Sequence, residues 1–174
     1  MKKYFAGAAA RFLLPVLVAG AALATTSCSK DEPTAVAQQD FSAADDATIQ
    51  KYLADNKITT ARKQGSGLYY IPVTTNPNGA LATAGHKVSV LYTGTLLNGT
   101  VFDASSQNGN TPITFTLGTG QVIAGWDEGI ALMKKSEKSI LLIPSGLAYG
   151  AQSRPPYITP NSILRFEVEL TNIQ

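Results

Sequence analysis

The sequence predicts an α+β fold: an antiparallel β-sheet of five to six strands wrapped around one short helix, with an extra helix on its N-terminal side. Three observations predict it. From Gly67 onward apolar residues recur at every second position, the period of a half-buried strand. Only Gly125 to Lys134 has helical spacing in that region, with Trp126, Ile130 and Met133 on one face. The turn signals Asn76-Pro77-Asn78-Gly79, Asn98-Gly99 and Asn108-Gly109-Asn110 separate the alternating runs. Several strands joined by tight turns and crossed by one helix make a sheet packed on that helix.

Taken in order, residues 1–27 read as an export signal. Lys2-Lys3 precede an apolar stretch from Phe12 to Leu23, and small residues lead to Cys28. That stretch is shorter than the roughly 20 residues a membrane-spanning helix needs. The sequence Ala24-Thr25-Thr26-Ser27-Cys28 resembles a bacterial lipoprotein processing site, with Cys28 as the lipidated first residue. Thr25 departs from the large aliphatic residue usual there, so a plain secretory signal with an incidental cysteine stays open. Residues 28–41 have the composition of a flexible tether, and their Ser29-Lys30-Asp31-Glu32 run resembles the surface-export signal of some Gram-negative lipoproteins. Each acyl CH₂ buried in a bilayer contributes about 0.8 kcal/mol, so several chains on one cysteine hold a protein stably. The expected address is the cell envelope, lipid-anchored at the outer membrane, on its periplasmic face or at the cell surface.

Residues 42–65 form an N-terminal helical extension. Ser42 or Asp45 can cap a helix, and Ile49, Tyr52 and Leu53 share one face. The helix is expected to pack on the domain rather than serve as a dimerisation arm. Thr59 to Ser66 is a polar connection. The domain itself, residues 66–174, opens with a strand from Leu68 to Val73. Val88, Val90 and Tyr92 alternate with polar neighbours or Leu91, as do Ile113, Phe115 and Leu117; Ile140 to Ile143 adds a strand. Leu164, Phe166, Val168 and Leu170 alternate with Arg165, Glu167 and Glu169 in the last one.

Composition excludes several classes. Of the fourteen basic residues, Lys2, Lys3 and Arg11 lie in the leader, leaving eleven against twelve acidic ones. A near-neutral chain without a basic patch is no nucleic-acid binder. His86 and Cys28 are the only histidine and cysteine, so no His/Cys zinc site or disulfide framework can form. The Gly85-His86-Lys87 turn makes His86 a solvated residue rather than a general base. No metal or cofactor is implied.

Five aromatics stand out by position: Tyr92 ends a strand, Phe102 precedes Asp103, Trp126 opens the helix, Tyr149 precedes Gly150 and Phe166 is mid-strand. They are either core and rim residues or the lining of a concave site. The segments around them resemble a known family, the FKBP-type peptidyl-prolyl cis–trans isomerases. The similarity runs through Val90-Leu91-Tyr92-Thr93-Gly94-Thr95-Leu96 and Gly99-Thr100-Val101-Phe102-Asp103-Ala104-Ser105. It continues at Phe115-Thr116-Leu117-Gly118 and Gln121-Val122-Ile123-Ala124-Gly125-Trp126-Asp127-Glu128-Gly129. Ile143-Pro144-Ser145-Gly146-Leu147-Ala148-Tyr149-Gly150 and Leu164-Arg165-Phe166-Glu167-Val168-Glu169-Leu170 complete it. Six segments in the family's order imply an FKBP-like fold for Gly67 to Gln174.

The resemblance implies catalytic Tyr92, Phe102, Asp103, Trp126, Tyr149 and Phe166, with substrate contacts from Ile113, Val122, Ile123 and Ile158. Trp126 would be the floor; the Ile123 N–H and Tyr149 hydroxyl would bind peptide carbonyls. Asp103 is either an electrostatic partner of the rotating carbonyl or a strand-end residue bonded to a tyrosine. Ile113 replaces a family phenylalanine, Arg154 a histidine and Ser136 a turn glycine, and the basic residue of the loop after Asp103 is missing. The thirteen residues between Tyr149 and Ile163 leave no room for the inserted chaperone domain of some relatives. The expected protein is a monomer, bound to the membrane only through its lipid, that acts on proline-containing polypeptides and takes macrolide inhibitors. A binding module that holds proline peptides without turnover, and an adhesion scaffold, are the rival readings.

The implied chemistry suits these residue types. An X-Pro bond rotates over a barrier of about 20 kcal/mol because twisting breaks amide resonance. A water-poor pocket favours the twisted, less polar amide, and no covalent bond has to change. Each 1.36 kcal/mol of differential stabilisation is tenfold in rate.

Overall fold

A computed structural model describes residues 42–174. The leader, Cys28 and the tether lie outside the described residues. Helix α1 spans Ser42–Asp55. It closes with the Ile58 N–H on the Leu53 carbonyl and the Lys57 N–H on that of Ala54, while Lys57 takes a left-handed φ of 55°. That is a Schellman stop with Leu53 and Ile58 in the hydrophobic contact it favours. Among the described residues no helix is long and apolar enough to cross a membrane.

The sheet has seven antiparallel strands: β1 (Arg62–Lys63), β2 (Tyr69–Thr74), β3 (Lys87–Leu96), β4 (Val101–Ala104), β5 (Ile113–Thr116), β6 (Lys138–Ile143) and β7 (Leu164–Ile173). The path is β1-β2-β6-β7-β3-β4, with β5 also on β3. The count exceeds five to six for a simple reason. β1 is a two-residue pairing inside the polar connection, and β4 is too short for its alternation to register. Strand β3 is ten residues long and shares its edge, pairing β5 through its first half and β4 through its second.

The sheet is buried on both faces at one end. One face packs Leu68, Tyr70, Val88, Val90, Leu141, Ile143, Phe166 and Val168 against Trp126, Ile130 and Met133. The other packs Tyr69, Ile71 and Leu142 against Ile49 and Leu53 of α1. This is why β2 and β6 read as unbroken apolar runs while β7 alternates. Helix α2, Ala124–Ala131, is shorter than the expected Gly125 to Lys134. Met133 turns into the core, and Lys134 leaves the helix to pair with Leu81. The helix lies close to β6 because Gly125 and Gly129 face it. A Cβ on Gly129 would meet Leu141 at 2.6 Å, and one on Gly125 would collide with Ile143. Ser136 adopts φ 68°, a conformation that costs a non-glycine residue about 1–2 kcal/mol.

Candidate functional site

Ile123 precedes helix α2 as its N-cap, and its extended backbone (φ −61°, ψ 148°) turns its carbonyl onto the N–H groups of Trp126 and Asp127. The Ile123 N–H has no acceptor among the described residues. The Asp127 carboxylate accepts from Gly118 (2.8 Å) and Gly120 (2.9 Å), holding the loop that precedes the helix. This loop and helix start carry Gln121, Val122, Ile123 and Trp126 to the inner face of the sheet.

There the aromatics meet edge to face. Trp126, 4% exposed, has its ring 5.1 Å from Tyr92 on β3 and 5.1 Å from Phe166 on β7, at 78° and 85°. Phe102 on β4 stands 5.4 Å from Phe166 at 85°, and Phe115 supports Trp126 at 6.0 Å. The quadrupoles favour such crossings. Gly94 makes the approach possible: it pairs with both Asp103 and Phe166 across the sheet. A Cβ there would lie 2.7 Å from the Phe102 ring and 2.8 Å from that of Phe166. Trp126 Nε1 is the one buried side-chain polar atom among the described residues with no partner.

The polar groups are few. The Tyr92 hydroxyl donates to Asp103 Oδ2 at 2.7 Å, and the Tyr92 N–H donates to Ser105 Oγ at 3.0 Å. Burial, then the bond to Asp103, pushes the Tyr92 phenol up to about 12, so it keeps its proton at neutral pH. Tyr149 follows the short 3₁₀ turn Ser145–Leu147. The Ser145 carbonyl receives the N–H groups of Ala148 (3.0 Å) and Gly150 (2.9 Å), bracketing Tyr149. Ser145 is itself held by Asp45 of α1, whose Oδ2 accepts both its N–H and its O–H at 2.7 Å. The Arg154 guanidinium lies 5.0 Å from the Tyr149 ring centre.

These groups surround an open cavity of about 530 Å³. Tyr92, Phe102, Asp103, Trp126, Tyr149 and Phe166 line it, as do Ile113, Val122 and Ile123. Ile158 does not. It is 6% exposed and packed in the core cluster that holds Trp126, because both its backbone groups pair with Arg154 and turn it inward. Gln121, Ala148 and Gln152 line the cavity without having been singled out as site residues. Gln121 and Ala148 lie inside resembling segments, whereas Gln152 sits in a loop with no pattern to mark it. His86 is exposed, its Nδ1 2.9 Å from Thr83 Oγ1. Among the described residues no three His, Cys, Asp or Glu side chains group as metal ligands would. The arrangement is an apolar bowl with hydrogen-bonding groups near it, suited to desolvating and orienting an amide.

Comparison with known proteins gives a consistent set of similarities. The model of the family described as FKBP-type peptidyl-prolyl cis-trans isomerase matches residues 79–171. Peptidyl-prolyl cis-trans isomerase Fkbp12 of Drosophila melanogaster is 42% identical over 108 residues, 62% of this chain and 99% of that protein. An FK506-binding protein of Neisseria meningitidis serogroup A is 50% identical over 95 residues, 55% of this chain and 86% of that one. The crystal structure of FkpA from Escherichia coli superposes with a TM-score of 0.65 at 36% identity, covering 76% of this chain and 61% of FkpA.

Proposed function

The chain belongs to the FKBP-type peptidyl-prolyl cis–trans isomerases, and on that basis we propose that the bowl around Trp126 rotates X-Pro bonds in polypeptides outside the cytoplasm. One observation carries the assignment to this site: Tyr92, Phe102, Trp126 and Phe166 enclose a single cavity with the Tyr149 loop on its wall. The proline ring rests on the indole face, and the peptide carbonyls bind the Ile123 N–H and the Tyr149 hydroxyl. Water excluded from the bowl no longer stabilises the planar, polar amide, so the twisted imide gains relative to the ground state. Asp103 works through Tyr92, fixing the ring that abuts Trp126.

The same cavity takes macrolides of the FK506 class, with Ile113, 39% exposed, offering them a smaller wall than phenylalanine. The protein acts as a monomer, tethered to the envelope through Cys28; the leader, the cysteine and the polar tether in the sequence support that address. Cis-to-trans conversion of an Ala-Leu-Pro-Phe peptide by the full chain tests the activity. The expected result is acceleration blocked by FK506, with Phe102→Ala lowering kcat/KM at least about tenfold, or about 1.4 kcal/mol. No acceleration by the unaltered chain would replace catalysis with peptide holding.

A further inference from the structure

We propose that Arg154 makes this site selective for prolines adjacent to an acidic residue, an inference that rests on the isomerase reading of the same cavity. Arg154 lines the cavity and is exposed. Its backbone is fixed: its N–H donates to the Ile158 carbonyl (2.7 Å) and its carbonyl accepts from the Ile158 N–H (3.0 Å), with Ile158 anchored in the core. Its guanidinium is placed by the Tyr149 ring at 5.0 Å, a cation–π contact that leaves the N–H donors open.

No anion among the described residues takes those donors. The four ion pairs of the described residues are Lys51–Asp55, Lys63–Asp46, Lys138–Glu169 and Arg165–Glu167, and Arg154 makes no side-chain hydrogen bond among them. The cavity's one carboxylate, Asp103, accepts from Tyr92. The other polar side chains on that wall, Gln121 and Gln152, are neutral. An unpaired planar fork beside the tyrosine that anchors the peptide matches a carboxylate in two parallel hydrogen bonds. Because the group is exposed, the discrimination is modest, about two- to fivefold, and screened by salt.

The test uses the full chain and two peptide series, Ala-Xaa-Pro-Phe and Ala-Leu-Pro-Xaa, with Xaa as Glu, Gln or Lys. Trp126 is the only tryptophan, so its emission reports occupancy of the cavity whether or not the bond rotates. In at least one series the Glu peptide should bind about two- to fivefold more tightly than the Lys peptide at low salt. That ratio should fall toward one in 1 M salt and in Arg154→Gln, and invert in Arg154→Glu. A ratio of one in both series, or a preference that survives salt and Arg154→Gln, overturns the inference. Isomerisation rates measured in parallel keep the two readings apart: a Glu preference in binding without acceleration defeats catalysis and leaves the charge selection standing.

Discussion

Tyr92 does three things from one position on β3. Its ring abuts Trp126, its hydroxyl bonds Asp103 and its N–H bonds Ser105. A phenol raised by burial and by Asp103 to about 12 carries a consequence in alkaline solution. The folded chain holds a proton that the unfolded chain releases near pH 10, so this contribution is intact below pH 10 and is lost as pH rises to about 12. The thermal midpoint should therefore drop between pH 10 and 12, and drop less in Tyr92→Phe. Equal drops in the two proteins would assign the effect to Tyr69 and Tyr70, whose phenols burial also raises. At this scale the sequence was informative about side-chain identity and left the pairing open, a tyrosine bond being one of two readings of Asp103. Which tyrosine holds Asp103, Tyr92 at 2.7 Å, depends on how β3 and β4 register at Gly94. The inward turn of Ile158 likewise depends on a pairing with Arg154 that no local pattern announces.

Among the elements, α1 is the informative case. Its apolar spacing was legible, and Ile49 and Leu53 are buried as that spacing requires. Asp45 was a candidate cap of its own helix. Instead it is 6% exposed, and its carboxylate holds Ser145, one hundred positions along the chain. The bracing continues through Ser145 to the amides on either side of Tyr149. Hydrogen bonds to a buried charge each contribute about 1.5–3 kcal/mol, and losing the carboxylate leaves the Ser145 N–H unpaired. Asp45→Ala should cost about 2–3 kcal/mol in urea unfolding and speed hydrogen exchange at Ala148 and Gly150. Asp45→Asn, which keeps an acceptor, should lose less. An unchanged midpoint with unchanged exchange would show that α1 does not support the Tyr149 loop. Helix α2 teaches a related lesson: its apolar period continues to Met133, but the backbone stops at Ala131 because Lys134 pairs with Leu81.

At the scale of the whole molecule, a sheet packed on both faces holds α1 on one side and α2 on the other, and the family match begins at residue 79. The proposed anchor concerns residues before α1. Cells supplied with radiolabelled palmitate should label the protein, and Cys28→Ala should abolish the label; an unlabelled parent protein would leave a plain secretory signal as the better reading. The sequence by itself determined the fold class and the family, and it named the aromatic side chains that line the bowl. Strand period, turn residues and aromatic motifs are local, and local propensity and side-chain type are written directly in the order of residues. Only the tertiary structure decided that Asp45 braces Ser145, that Gly94 admits two aromatic rings, that Ile158 packs into the core and that no anion among the described residues pairs with Arg154. Each of these is a relation between residues set by strand register and loop closure, and a hydrogen bond of 2.7 Å across one hundred positions has no periodic trace in the chain that makes it.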